Sequence, residues 1–228
     1  MFPGCLLEVG CGAGALLVEL ALKGFCCKGL EMSPEARNLA VGLSEASSVK
    51  LHIHSDACVE WEGLFDIVCA FDVLEHIKSD REALGDWNQW IKPGGKLLIS
   101  VPAHRTRWGA GDIWAGHYRR YDKSDIRKLI LDQGFTIEHF ECYGFPLANF
   151  TEWIGERGYK KMMRSRKKAY SKEQASGESG IQRDAYLKMF PWISSVFGRV
   201  ALMVSFSLQR LTMNTDLGSG YIVLASKP

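Results

Sequence analysis

From Cys5 to Ala103, short apolar runs bounded by turn residues alternate with stretches of helical periodicity, and this alternation restricts the chain more than any other feature. CLLEV (Cys5 to Val9) reads as a buried strand, and ALLVELALKG (Ala15 to Gly24) as a helix ending at a glycine suited to a C-cap. CCKGLEM is a second strand, after which Ser33 and Pro34 supply an N-cap and a first-turn proline for a helix. VKLHIHSDA and FDIVCAFDVL (Phe65 to Leu74) are the third and fourth strands. REALGDWNQWI is a helix, and KPGG a turn into the fifth strand, KLLISVPA (Lys96 to Ala103). KSDIRKLILDQG predicts another capped helix, FTIEHFECYGF a sixth strand and GYIVLASK (Gly220 to Lys227) the last. Strands separated by helices build a parallel sheet covered on both faces, so the expected class is α/β, doubly wound.

Between the sixth and last strands, Pro146 to Gly218 breaks the alternation. It holds a basic cluster, KKMMRSRKK, with Lys160, Lys161, Arg164, Arg166, Lys167 and Lys168, and then the polar SKEQASGESG, expected to be a mobile loop. Met189, Ile193, Val196, Phe197, Val200, Val204, Leu208 and Leu211 recur at helical spacing beyond it, predicting a strongly apolar face. Arg199 and several serines interrupt that stretch, which falls short of the ~20 apolar residues of a spanning helix; a packed or interfacial helix is expected. The reading is therefore a single domain over 1–228 with a helical insertion or lid at 146–218. Lys and Arg (28) nearly balance Asp and Glu (26), so the net charge of +2 gives no global attraction to nucleic acid, and none is expected as a partner. The seven cysteines include no Cys-x-x-Cys pair and mostly fall in apolar runs, which points to buried thiols in a reducing compartment. With no signal-peptide pattern at the N-terminus, the expected location is cytoplasmic.

Strand, glycine turn and helix over LEVGCGAG (Leu7 to Gly14) place backbone N–H groups and a helix N-terminus toward a ligand. A phosphate-binding P-loop needs Gly-Lys-Ser/Thr, whereas Gly14 is followed by Ala15 and Leu16. The dinucleotide fingerprint G-x-G-x-x-G/A is formally met from Gly10 to Ala15, with Glu31 at about the 20-residue distance of a ribose-binding acid. Glu8, however, sets a negative charge where NAD carries its pyrophosphate. The same acid suits a cofactor with a cationic amino-acid tail.

In order along the chain come LEVGCGAG, Glu31 in GLEMS, Asp56 in HSDA, FDIVCAFDVLEHI and WIKPGGKLLISVP. With these motifs the chain resembles the class I S-adenosylmethionine-dependent methyltransferases, of the bacterial methyltransferase-11 or UbiE-like type. The resemblance implies a Rossmann-like, mostly parallel seven-stranded sheet whose last strand is antiparallel. It implies S-adenosyl-L-methionine as cofactor and S-adenosyl-L-homocysteine as product. Glu8 would hold the methionine ammonium, Gly10, Cys11, Gly12 and Gly14 would lay backbone against the cofactor, and Glu31 would accept both ribose hydroxyls. Asp56 would accept the adenine amino group beside the Ala57 amide, with Met32 packed on the ring and Phe71 on the methionine side. Family members usually carry helices before the glycine motif; here the first strand begins almost at Met1, so either the chain is a fragment or the insertion performs their closing role.

AHRTRWGAGDIWAGHYRRYDKSD (Ala103 to Asp125) follows the fifth strand, at the end of the sheet where ligands bind, and is dense in His, Arg, Tyr and Trp. His104 and His117 are base candidates there, with Tyr118 and Tyr121 as orienting groups and Arg105, Arg107, Arg119 and Arg120 able to clamp an anion. The same Arg and Tyr residues could instead cap the next helix and pack the loop. His76, in DVLEHI, is a further candidate base or a helix-end packing residue. GHYRRYDKSDIRKLILDQGF resembles a stretch common in bacterial methyltransferases found beside sugar and lipid-linked glycan enzymes. The expected reaction is in-line methyl transfer to an oxygen, in second place a nitrogen, of a small-molecule, sugar or lipid-linked acceptor. The rivals are an NAD-dependent oxidoreductase, a cofactor-binding scaffold acting through the apolar helix, and an RNA methyltransferase. Peripheral membrane contact through 160–211 is a further partner reading, set against a core or lid role for the helix and a solvated loop for the basic run. No metal constellation is expected: His52 and His54 alternate on one strand without acid or thiol ligands at a known spacing.

Overall fold

A computed structural model describes residues 4–165, 191 and 194–228. β1 (Cys5–Val9), α1 (Ala15–Leu22), β2 (Cys26–Leu30), α2 (Pro34–Ala46) and β3 (His52–His54) form the first half of the sheet with its crossovers. β4 (Phe65–Phe71), α3 (Asp80–Trp90), β5 (Ile91–Pro102), α4 (Ala110–Ala115), α5 (Lys123–Asp132) and β6 (Thr136–Tyr143) follow. Then come α6 (Leu147–Ser165), α7 (Val196–Thr212) and β7 (Gly220–Ser226). The seven strands lie in the order β3-β2-β1-β4-β5-β7-β6, mostly parallel with the last antiparallel, as the resemblance implies. From β1 the chain winds outward through β2 to β3, then returns to the other side of β1 at β4. This reversal makes the carboxyl ends of β1 and β4 the topological switch point, where open α/β sheets bind ligands.

The helix signals act as the sequence indicates. Ser33 Oγ accepts from Ala36 N at 3.3 Å, and Pro34 opens α2. Gly24, just past α1, takes φ +94° and donates its N–H to Ala21. Two boundaries differ. α3 stops at Trp90, and β5 begins at Ile91, opposite Phe65, with KPGG inside the strand as an irregular stretch. Pro93 has no N–H to offer, but Gly94 N and Gly95 O bond to Lys227, which keeps that edge paired. The third strand is only His52–His54, because Ser55 and Asp56 leave the ladder at once.

The chain divides into two compact units, Met1–Val101 with Ser124–His139 and Val223–Pro228, and Pro102–Lys123 with Phe140–Ile222. In the first, Leu6, Cys11, Leu17, Cys27 and Cys69 form a buried cluster beneath the glycine turn. All seven cysteines are free thiols, and burial, with the charges of Glu8 and Glu31 adding to it, pushes Cys11 up to about 12, far from thiolate chemistry.

In the second unit, α7 is the helix for which packed and interfacial readings both stand. Its apolar residues recur at helical spacing as read from the sequence, yet they face outward: Val196, Phe197, Val200, Val204 and Leu211 are all exposed. The inward stripe consists of Gly198, Leu202, Ser205, Gln209 and Thr212. Period alone gives a helix two chemically distinct faces, but not which one meets the protein. Here Gln209 Oε1 accepts the Gly144 amide at 2.9 Å, and that bond belongs to the polar side. Met189, Ile193, Arg166, Lys167, Lys168 and the SKEQASGESG stretch lie outside the described residues.

Candidate functional site

Two chemically equipped regions stand out, one in each unit. In the first, Gly10, Gly12 and Gly14 all adopt positive φ (68°, 54° and 74°), which turns the chain sharply between β1 and α1. A Cβ on Gly10 would lie 2.6 Å from Val73 Cγ2, so there the side chain is excluded by packing. A Cβ on Gly12 would meet nothing within 4 Å; the backbone faces open space.

Glu31, just beyond β2, ties this turn together. Its Oε2 accepts from Gly12 N at 2.9 Å and its Oε1 from Ser33 N at 2.8 Å. Arg37 Nη1 donates to the Glu31 and Met32 carbonyls at 2.7 and 2.8 Å, which holds the backbone at the start of α2. A carboxylate offers about four lone-pair sites, so each oxygen retains one for a second donor, side by side in the geometry of a vicinal diol.

Glu8 is buried at the end of β1, and its Oε2 has no hydrogen-bond partner. Burial, helped by repulsion from Glu31, pushes its carboxyl up to about 7. An orphaned buried carboxyl oxygen of this kind costs stability unless a donor or cation meets it. An ammonium group would satisfy it; a pyrophosphate would not. The fit of a cofactor with a cationic amino-acid tail rests on this oxygen.

The remaining residues proposed from the sequence end the neighbouring strands. Asp56 follows β3, exposed, and accepts from Ser55 Oγ at 2.8 Å, with the exposed Ala57 next to it. Met32 is 82% exposed, a large apolar side chain left in solvent directly after Glu31. Phe71 closes β4 half-buried. Asp72 follows in a left-handed conformation (φ 53°), its N–H 3.1 Å from both the carbonyl and the hydroxyl oxygen of Ser100, while Ser100 Oγ donates to Asp72 Oδ1 at 3.0 Å. Non-glycine residues held this way cluster at working sites, and Asp72 was not among the residues singled out from the sequence. His76 ends the single helical turn Leu74–His76.

In the second unit, the chain between β5 and α5 centres on Asp112, buried on α4. Its Oδ1 accepts from His117 Nδ1 at 2.9 Å and from Arg120 Nε at 2.8 Å, and its Oδ2 from Gly109 N at 2.8 Å. Burial works to raise the Asp112 carboxyl, but the bonds from His117, Arg120 and Gly109 outweigh it and hold the group below the usual range. An ionised carboxylate only accepts, so Nδ1 of His117 carries the proton in this bond. Gly116 makes the turn possible: at φ +81° it reverses the chain at the end of α4, and His117 N returns to Asp112 O at 3.0 Å. Sequence reasoning selected His117 but missed Asp112; the signal was the D-x-x-x-G-H spacing, an acid one turn ahead of a glycine C-cap.

The other candidates in this unit are held differently. His104 takes φ 62°, and its Nε2 lies 3.1 Å from the Gly218 carbonyl, which only accepts; this nitrogen therefore donates. Tyr121 is buried and bridges to Ala103, a packing role, while Tyr118 lies between α4 and that bridge. Arg107 donates to the Gly218 carbonyl at 2.8 Å, and the buried Arg120 pairs with Asp112 and, at 3.3 Å, with Glu152. These two arginines serve the fold. The donor atoms of His104, Cys142 and Asp216 converge within 4.8 Å. Each already has a partner, His104 at Gly218 O, Cys142 at Gly218 N and Asp216 at the Tyr221 hydroxyl, so the three read as a hydrogen-bond network around residues 216–221.

Comparison with known proteins identifies the family of the chain. A family described as a methyltransferase domain matches residues 2–140. A ubiquinone biosynthesis O-methyltransferase of Rickettsia canadensis (strain McKiel) is 24% identical over 163 residues, 65% of this chain and 69% of the relative. Norajmaline N-methyltransferase of Rauvolfia serpentina is 28% identical over 110 residues, 46% of this chain and 38% of the relative. The chain thus spans between 38% and 69% of the length of these curated relatives. Among solved structures, one titled a putative methyltransferase from Bacillus halodurans C-125 superposes with a TM-score of 0.62 at 15% identity, covering 100% of this chain and 94% of that one. Phosphoethanolamine N-methyltransferase 2 of Haemonchus contortus, in complex with S-adenosyl-L-methionine, gives 0.58 at 18% identity, covering 100% of this chain and 50% of its own. At these identities the superpositions speak for the fold.

Proposed function

The chain belongs to the class I S-adenosylmethionine-dependent methyltransferases, and on that premise we infer that it methylates an oxygen of a small-molecule, sugar or lipid-linked acceptor. The observation that carries the choice of oxygen is the Asp112–His117 pair. A hydroxyl must lose its proton as it becomes an ether or ester, whereas a neutral amine attacks with its own lone pair. His117, oriented by an ionised acid, is the group equipped to take that proton, and Asp112 positions it. His104, whose Nε2 donates to a carbonyl, and His76, in a helical turn after β4, rank below it, and Tyr118 is kept as an orienting group.

When bound, the sulfonium cofactor supplies an activated methyl group, so the protein's part is alignment, exclusion of water and proton removal. Glu8 would receive the ammonium, which fits its unpartnered Oε2. Glu31 would take the two ribose hydroxyls on the lone pairs left by Gly12 N and Ser33 N. Gly10, Cys11, Gly12 and Gly14 would bring backbone against the methionine portion, with Phe71 on the same side. Asp56 and Ala57 would read the adenine edge, and the exposed Met32 would cover its face. The insertion at 146–218 is the part we assign to acceptor specificity, and peripheral membrane contact through 160–211 belongs to the lipid-linked form of this reading. The free thiols favour a reducing compartment, the cytoplasm.

Calorimetry with S-adenosylhomocysteine and NAD tests the cofactor assignment: the first should bind and the second should not. Transfer of labelled methyl to a panel of hydroxylated and aminated acceptors tests the rest. Methylated amines with no labelled ether or ester would overturn the choice of oxygen, and cofactor binding without any product would favour a scaffold.

A further inference from the structure

α7 is an amphipathic helix turned inside out. At 100° per residue, Val196, Phe197, Val200, Val204, Leu208 and Leu211 share one side about 120° wide, and every one is exposed, Phe197 at 83% and Leu211 at 79%. The inward side carries Gly198, Ser205, Gln209 and Thr212, with Leu202 the one large apolar residue among them. A helix on a protein surface normally buries its apolar side and wets its polar one; the reversal means that the outer side faces something other than water.

Charge identifies what that is. α7 contains no Asp or Glu, and its two arginines, Arg199 and Arg210, fall together on one flank of the apolar side. α6 repeats the chemistry. Phe150, Trp153 and Ile154 are exposed toward its start, and Arg157, Lys160, Lys161 and Arg164 project from its second half. The two carboxylates of α6 are turned inward, Glu152 to Arg120 and Glu156 to the Ala110 amide. Lys160 is the outward cation that shares Glu156, at 3.1 Å. Exposed apolar and aromatic side chains bordered by cations that outnumber the acids beside them are the composition of helices that lie in the interface of an anionic bilayer. With 17 residues and two arginines, α7 is suited to lying on a membrane; no described helix is long and apolar enough to cross one.

We propose that the unit carrying α6 and α7 docks on an anionic phospholipid surface, the outward side of α7 entering the headgroup–acyl boundary and Arg199 and Arg210 meeting lipid phosphates. This deepens the lipid-linked reading of the acceptor, since it would bring the enzyme to the surface that holds such a molecule.

The test is flotation of the full chain with vesicles of phosphatidylcholine alone and of phosphatidylcholine mixed with phosphatidylglycerol. The chain should float with the mixed vesicles at low salt, less so as salt rises, and scarcely with phosphatidylcholine. Phe197→Ser, Val204→Ser and Leu211→Ser combined should abolish flotation while leaving S-adenosylhomocysteine binding and the circular dichroism spectrum unchanged, because these side chains support nothing inside. Arg199→Gln with Arg210→Gln should weaken binding to the mixed vesicles by roughly tenfold or more. Failure of the wild-type chain to float, or undiminished flotation of the serine variant, would overturn the proposal. So would a wild-type dimer that the serine variant converts to monomer without any vesicle binding, which would make a second copy the occupant. Vesicle binding by a chain with no affinity for S-adenosylhomocysteine would sink the functional reading and leave this one standing.

Discussion

Asp112 Oδ1 lies 2.9 Å from His117 Nδ1, and this contact places the Nδ1 proton, so that in the base role proposed for His117 the other ring nitrogen is the one that acts. His117→Ala should lower kcat by about 100-fold or more and leave the Kd for S-adenosylhomocysteine within about twofold of wild type. Asp112→Asn should also lower kcat, since an amide no longer enforces the Nδ1 proton. It should destabilise the fold by about 1–3 kcal/mol as well, because the buried Arg120 loses its 2.8 Å ion pair with Asp112 while retaining Glu152 at 3.3 Å. Steady-state kinetics beside thermal unfolding separates the two effects. Equal losses of turnover and cofactor affinity in His117→Ala would count against its role as a base.

Glu8 makes the ligand-free protein less stable at alkaline pH. Its carboxyl is raised from 4.5 to about 7 in the fold, so the folded state holds the proton more tightly than the unfolded chain does. The favourable contribution is present below pH 4.5 and is lost as pH rises to about 7, an effect on the order of 3 kcal/mol. Glu8→Gln keeps the shape without the charge. It should raise the melting temperature at pH 8 by roughly 5 °C or more and flatten its dependence between pH 5 and 7.

The same group should make cofactor affinity depend on pH. Binding an ammonium requires the Glu8 carboxylate, so the affinity for S-adenosylhomocysteine should climb about tenfold per pH unit below pH 7 and level off above it. Proton release measured by calorimetry in buffers of different ionisation enthalpy checks the origin of the slope. Glu8→Gln should bind weakly at every pH; a retained slope in that variant would assign the proton to another group.

Two glycines should respond to alanine in opposite ways. At Gly12 the added methyl enters open space at φ +54°, a strain of about 1 kcal/mol that the fold can absorb, but it would occupy the surface proposed for the cofactor. Gly29→Ala would set its Cβ 2.6 Å from Cys11 Sγ and 2.7 Å from Ile53 Cδ1, overpacking that costs about 1–3 kcal/mol. The first variant should melt near the wild type and lose S-adenosylhomocysteine binding by calorimetry. The second should melt lower and still bind while folded.

The sheet was legible because each of its devices is local. Ser33 and Pro34 begin α2, Gly24 ends α1, and unbroken apolar runs mark strands covered on both faces. The residues proposed for the cofactor could be chosen from the sequence because the glycine turn and the acids at the ends of β1, β2 and β3 stand at characteristic distances along the chain. Asp112 was not legible, since a buried acid at an ordinary helix position looks like a solvent-facing one until Arg120 and His117 are seen to converge on it. Nor was the direction of α7. Its apolar residues allowed a packed or an interfacial helix, and only the Gln209 bond to Gly144 and the exposure of Phe197 show which side is turned outward.

Glu31 closes the glycine turn through Gly12 N and opens α2 through Ser33 N before any ligand arrives. A side chain with both duties leaves evolution little latitude at position 31. A substitution there removes an acceptor from two backbone N–H groups at once, whereas Asp56 and Met32 carry side chains that the fold scarcely uses and that can change without loosening the turn.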